Sequence, residues 1–310
     1  MGLLDRLAGA PISWGVCEVP GWGRRLPVER VLAEMASLGF RATELGAPGF
    51  LPDEPADLRA KLDEFGLRLV GGFVGLVLHD PARAEITLEQ ARATATLFEE
   101  SGGGVFVTAA VVDQAWAPRV ALDGAQWRHM GRMLARLDEI GGDRGLLHVL
   151  HPHVGTLVET AEDIDRVREQ HEVRWCLDTG HLAIGGVDPL AFAHDAGEQV
   201  AHVHLKDVDL SLAERVAVGE LSLLDGVQRG LFRPLGQGDL AIADVVASVE
   251  GLGYEGWYVL EQDTAIAGDE PPDGTGPIDD VRQSVDHLRA AVASRLGGTT
   301  TPTYGKGRTQ

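Results

Sequence analysis

The sequence predicts a single α/β domain over residues 1–296, folded as a (β/α)8 TIM barrel. Three observations carry this. Short β-rich runs alternate eight times with longer helical patterns, and that alternation demands parallel pairing through right-handed crossovers. Eight strand–helix units within the 310-residue chain match the arithmetic of a closed barrel. No glycine-rich dinucleotide loop follows the first strand, which counts against the competing fold, a doubly wound open sheet.

Each element has its own local warrant. Residues 8–16 (AGAPISWGV) form the first strand. Residues 28–38 carry apolar side chains at 28, 31, 32, 35 and 38, the spacing of one helix face. Residues 41–45 are strand two, 56–65 a helix stopped at Gly66, and 67–74 strand three. A helix over 88–99 leads to strand four at 104–110. Residues 124–140 make a long amphipathic helix that ends at Gly141-Gly142, a glycine C-cap signal. Strand five (145–151) is followed by a helix over 161–169 with Thr160 as its N-cap. Strand six (173–178), a helix through 189–194 and strand seven (200–206) come next. A helix over 242–252, strand eight (257–261) and a last helix over 281–296 close the pattern. Residues 207–238 form the longest insert without a helical pattern. In a barrel it follows strand seven on the face where active sites are built, in position to act as a lid. Residues 297–310 are apolar-poor and read as a disordered tail.

The balance of 27 Lys and Arg against 47 Asp and Glu gives a formal net charge of −20. Such a chain repels phosphate backbones and anionic lipid, so nucleic-acid and membrane-surface partners are not expected. Two cysteines, Cys17 and Cys176, exclude a disulfide framework and a Cys-based zinc module. With no basic-then-apolar leader and no apolar run of about 18 residues, a cytoplasmic location is expected. The 40 glycines point to many tight loops, and Gly46, Gly155, Gly180, Gly236 and Gly238 flank strand ends.

Barrel chemistry sits at the C-terminal ends of strands. Those ends read Glu44; His151-Pro152-His153; Asp178-Thr179-Gly180-His181; His202-Val203-His204-Leu205-Lys206-Asp207; and Glu261-Gln262-Asp263. Eight of the eleven histidines fall between 148 and 204, far above chance density. Imidazoles and carboxylates converging on one mouth suit a divalent metal, and a thiolate-free N/O set suits Mn²⁺, Co²⁺, Fe²⁺ or Zn²⁺. Each residue has a structural reading as well. His202 and His204 share a face and could both be interior histidines. Asp178 could cap the next turn, His181 could orient a ligand, and Glu44 could form a salt bridge at the mouth. Lys206 and Asp207 could be a surface pair. His148 faces away from His151 and is read as structural, and Cys17 and Cys176 as core residues.

Four stretches resemble a known family. They are APISWG with LAEMASLGFRATELG; HPHVGTLVET; LDTGHLAIGGVDPL with VAHVHLKDV; and GLFRPLGQGDLAIADVVASVEGLGYEGWYVLEQD. Over most of residues 10–290 the chain resembles the xylose isomerase-like TIM-barrel superfamily of sugar isomerases and epimerases, and within it the inosose dehydratase branch. The resemblance implies a metal set of Glu, Asp, His and Glu from strands five to eight. Asp178, His204 and Glu261 match the last three, and His151 stands where many members have Glu. In sugar epimerases that Glu is one of two opposed carboxylate bases, so this chain should not run a two-carboxylate epimerisation. The implied activity is loss of water from a cyclic polyol ketone such as scyllo-inosose, aided by a divalent metal (Mn or Co foremost, with Mg, Fe or Zn as alternatives). Glu44 or Glu261 would accept the proton, His153 or His181 would serve as acid or orienter, and Lys206 would offset enolate charge. The alternative is a metal-dependent isomerase or epimerase of the same superfamily. The superfamily's habit of forming dimers or tetramers makes a homo-oligomer an expectation too. The −20 charge counts against the superfamily's DNA-repair endonucleases.

Overall fold

A computed structural model of the chain describes residues 2–297. Eight parallel strands close into a barrel: β1 (Leu7–Gly9), β2 (Ala42–Glu44), β3 (Arg68–Leu76), β4 (Val105–Ala110), β5 (Leu147–Leu150), β6 (Trp175–Asp178), β7 (Val200–Leu205) and, after the short strands β8 (Asp207–Val208) and β9 (Phe232–Arg233), β10 (Tyr258–Leu260). The order around the barrel is β1-β10-β7-β6-β5-β4-β3-β2. The main helices outside it are α1 (Val28–Leu38), α2 (Pro55–Asp63), α3 (Ala84–Glu100), α4 (Gly124–Gly142) and α5 (Ala161–Gln170). They are followed by α6 (Thr179–Ile184), α7 (Pro189–Ala196), α8 (Leu210–Ala217), α9 (Leu223–Gln228), α10 (Ile242–Gly251) and α11 (Pro277–Gly297). Among the described residues no helix is long and apolar enough to cross a membrane.

The sequence reading needs four corrections. The first strand stops at Gly9, because Pro11 has no N–H to give to a ladder. The chain turns instead into a short 3₁₀ helix, Pro11–Trp14, closed by Gly15 at φ 80°. Strand five covers four residues, not seven. The insert after strand seven is not free of helix: it holds the β8–β9 hairpin together with α8 and α9. Helix α8 does carry an apolar face of Leu212, Ala213 and Val216, whereas α9 is too short to show a period. Each is started by a side-chain cap, Asp209 for α8 and Ser222 for α9. Helix α6 was not anticipated; it begins directly at the end of β6 with Asp178 as its N-cap. The tail expected beyond Gly297 lies outside the described residues.

Two apolar layers position the site. Large side chains, among them Trp14, Phe98, Phe106, Trp175 and Tyr258, fill the space between barrel and helices. The barrel interior is built from small ones: Ala8, Ala42, Val70, Val107, Val149, Cys176 and Val259. Small interior residues leave room near the top for imidazoles and carboxylates. Gly71 (φ 142°) permits a close strand approach, since a Cβ there would lie 1.7 Å from the Val105 carbonyl oxygen. It stands opposite Glu44, where the β2–β3 register shifts.

Outside the barrel, Asp138 on α4 clamps two histidines. His148 Nδ1–H and His171 Nε2–H donate to its two oxygens, each at 2.6 Å. The other nitrogen of His148 bonds to the Thr108 hydroxyl at 2.8 Å. These histidines join α4 to β4, β5 and the end of α5.

Candidate active site

A cavity of about 270 Å³ opens at the C-terminal end of the barrel. Asp178, which ends β6 beneath the cavity lining, has both oxygens in use. Oδ1 accepts the His181 N–H at 2.8 Å, starting α6. Oδ2 faces His151 Nε2 at 3.3 Å, His204 Nδ1 at 3.5 Å and Lys206 Nζ at 3.8 Å. Asp178 thus caps α6 with one oxygen and turns the other toward His151, His204 and Lys206.

Alternation along β7 sends His202, His204 and Lys206 to the inside. Glu44 Oε1 accepts from His202 Nε2–H at 2.9 Å and His204 Nε2–H at 3.0 Å. Burial opposes ionisation of Glu44, but the two imidazoles prevail and hold its carboxyl far below the usual carboxylate range. With its proton on Nε2, His204 turns the Nδ1 lone pair toward carboxylates. Glu261 Oε2 lies 2.7 Å from that nitrogen without the geometry of a hydrogen bond. One oxygen each from Asp178 and Glu261 lies within 4.8 Å of His204 Nδ1 and of each other. A lone pair facing two anionic oxygens is unfavourable unless a proton or a cation sits among them. Burial alone would lower the pKa of His204, yet the surrounding negative groups raise it well above the usual range.

His151 stands beside His204 and the Cys176 sulfur. Its Nδ1 has no hydrogen-bond partner although the residue is buried. Burial opposes its protonation, but Cys176 and Asp178 push it up to about 9. Asp178, His204 and Glu261 are an N/O set within reach of one cation, whereas His151 groups with His204 and the Cys176 sulfur.

Lys206 is fully buried, which overturns the surface-pair reading. Its ammonium contacts Asp263 directly and lies 3.4 Å from Glu261 Oε2. The Phe232 ring lies 5.2 Å away, supplied by the insert. Burial opposes the charge, but Asp263, Glu261 and Asp178 keep Lys206 ionised. Asp263 is pushed up to about 6, by burial above all. Its neighbour in the former pair, Asp207, is buried as well. It points the other way, into a loop from the insert.

The His153 and His181 rings lie against each other, tilted by 32° with centroids 3.7 Å apart. His153 Nδ1–H donates to the Val154 carbonyl at 2.8 Å, and the Val154 N–H donates to His181 Nδ1 at 3.4 Å. Two imidazoles this close cannot both be cations. Burial, then the His151 and Lys206 charges, brings His153 down to about 3, and burial with His153 holds His181 well below its usual range.

Of the residues singled out in the sequence, Glu44, His151, His153, His204, Lys206 and Glu261 line the cavity, whereas Asp178 and His181 lie just behind its surface. Sequence reasoning gave no role to Asp263, although it stands two positions after Glu261. Glu18, Trp22, Phe73 and Trp116 also line the cavity, and the Trp and Glu residues come from loops with no periodic signal. Trp116 stands at φ 58°, the one positive φ outside glycine among the described residues. That conformation costs about 1–3 kcal/mol. Asp113 Oδ1 stabilises it by accepting from the Ala115 and Ala117 N–H groups. The Trp116 ring stacks on Phe73 at 6.1 Å.

The family described as xylose isomerase-like TIM barrel matches residues 32–291. A relative named inosose dehydratase, from Geobacillus kaustophilus, is 34% identical over 276 residues, 84% of this chain and 89% of its own. The rhizopine catabolism protein MocC of Rhizobium meliloti is 30% identical over 93% of this chain and 89% of its own. Among solved structures, an L-ribulose 3-epimerase superposes with a TM-score of 0.68 at 17% identity. It covers 97% of this chain and 100% of the other, a likeness of fold alone.

Proposed function

The chain belongs to the xylose isomerase-like TIM barrel family, and from that premise we propose that it is a metal-dependent hydro-lyase acting on a cyclic polyol ketone such as scyllo-inosose. The observation that carries this reading is the carboxylate–ammonium pair of Glu261 and Lys206 beside a ring of imidazoles, in a chain whose relatives are named for dehydrating inosose. Strand five offers His151 where an opposed carboxylate base would stand, which favours elimination over two-base epimerisation.

His151, Asp178, His204 and Glu261 would hold the divalent cation, with Mn²⁺ or Co²⁺ as the first choices. When bound, such a cation supplies Lewis acidity at the ketone. Glu261 accepts the proton next to the carbonyl. Glu44 is a poor base, because two N–H groups occupy one of its oxygens; it holds the ring of His204 so that Nδ1 points at the site. Lys206 offsets the negative charge that develops on the substrate oxygen. His153 presents Nε2 to a substrate hydroxyl, and His181 supports it from behind. Leu223 and Leu224 of α9 reach the cavity wall, so the insert serves to shield the reaction from water.

The test combines metal analysis of the purified protein with an inosose and ketohexose panel. Stoichiometric metal, ultraviolet absorbance of an unsaturated or diketone product, and loss of turnover on chelation with return on adding Mn²⁺ or Co²⁺ are expected. Exchange of the α-proton with solvent deuterium and no loss of water would instead establish an isomerase or epimerase.

A further inference from the structure

Elimination of water needs a proton for the departing hydroxyl, and the groups assigned above do not supply one. Asp263 holds the Lys206 ammonium. Glu44 accepts from two imidazoles. His153 and His181 lie ring against ring, and burial disfavours a proton on either. The Cys17 thiol lines the cavity, but burial pushes it up to about 12, too weak an acid for the task.

We propose that Glu18, on the loop between β1 and α1, is the catalytic acid that protonates the departing β-hydroxyl. The proposal rests on the dehydration reading. Glu18 lines the same cavity as Glu261, Asp263 and Lys206, and its side chain is half-buried. Among the described residues no ion pair holds its carboxyl. Burial raises the carboxyl from its ordinary range against the pull of its own backbone N–H, Arg25 and Lys206, with the Glu261 charge adding to the rise, the direction that favours a proton donor.

The loop is also preorganised. Arg24 N–H donates to the Ile266 carbonyl at 3.0 Å, and Trp22 Nε1–H donates to the Thr264 carbonyl at 2.9 Å. Gly15 and Gly23 let the backbones meet: a Cβ on Gly15 would lie 2.5 Å from the Arg24 carbonyl oxygen, and one on Gly23 2.8 Å from that of Ile266. The segment carrying Glu18 is thus stitched to the segment that follows Glu261 and Asp263.

In the step itself, Glu261 takes the α-proton and the C–H electron pair forms the new C=C bond. The β C–O bond breaks with its electron pair going to oxygen. The Glu18 proton joins that oxygen, and water leaves. Solvent then returns a proton to Glu18 and removes one from Glu261.

The experiment compares wild type with Glu18→Gln on scyllo-inosose and on an analogue bearing fluorine in place of the β-hydroxyl, which departs without a proton donor. We expect kcat on the hydroxyl substrate to fall roughly 10²–10⁴-fold, the span of general acid catalysis, with KM little changed. Fluoride release should stay close to wild type, and the same release shows that the variant is folded. Near-wild-type kcat on the hydroxyl substrate overturns the proposal, as does equal loss on both substrates by a variant with an unchanged melting temperature. A wild type that removes neither water nor fluoride overturns the dehydration reading itself, and the role of Glu18 with it.

Discussion

Asp207 shows how a buried carboxylate organises the loop behind the site. One oxygen accepts the N–H of Val208 at 3.0 Å and of Leu240 at 3.1 Å. The other accepts the N–H of Gly236 at 2.8 Å and of Gly238 at 3.1 Å. Gly238 must be glycine, because a Cβ there would lie 2.3 Å from Asp207 Oδ1. In Asp207→Asn the amide can offer its oxygen to one pair of donors only, and its NH₂ then faces the other pair. Each hydrogen bond to a charged acceptor contributes about 1.5–3 kcal/mol, so two lost bonds cost about 3–6 kcal/mol. Bonds that share one carboxylate are not independent, so the lower end, about 3–4 kcal/mol, is expected. For a barrel of this size that is a melting-temperature drop of roughly 5–6 °C. Thermal unfolding by circular dichroism reads the drop, and hydrogen exchange at the Gly236, Gly238 and Leu240 amides reads the local release. A drop under about 1 °C with unchanged amide protection would refute the reasoning.

Three other expectations follow from the same geometry. Glu261→Gln should lose metal content and about 10²-fold or more in turnover; a variant normal in both, by metal analysis and the dehydration assay, contradicts its assignment as ligand and base. Gly71→Ala should destabilise by about 2–4 kcal/mol in urea unfolding, because the new Cβ meets the Val105 carbonyl and Glu44 must shift with β2. Asp138→Asn should cost about 1–3 kcal/mol near neutral pH by weakening the bonds to His148 and His171. Burial opposes ionisation of Asp138, but the two histidines hold its carboxyl below the ordinary range. Its contribution is therefore present above that range and lost as pH falls through the lower folded-state value. The gap in melting temperature between wild type and variant should close at acid pH, and a gap constant with pH would contradict this.

The site was legible where the chemistry lies on strands. A strand alternates its faces, so the pattern His-Val-His-Leu-Lys says on its own that His202, His204 and Lys206 point the same way. The barrel rule then says which end matters, and this brought out His151, Asp178 and Glu261 as well. Loops have no such period. Nothing in CEVPGWG marks Glu18 or Trp22 as cavity residues, and helices of six residues such as α6 and α9 leave no apolar repeat to read.

By itself, then, the sequence determined the class of fold and the residues gathered at one end of it. Strand and helix periods and the parallel crossover rule are properties of the local chain. Only the tertiary structure decided how those residues divide their labour. Glu44 and Glu261 are both carboxylates at strand ends, and they differ only in what surrounds them: two donated N–H groups for one, a buried ammonium and an imidazole lone pair for the other. Lys206 and Asp207 are adjacent in sequence, yet the pleat sends one to the cavity and the other to the amides of the insert. Charge, proton affinity and hydrogen-bond capacity depend on neighbours a few ångströms away in space, and closure of the barrel is what makes residues far apart in the chain into neighbours.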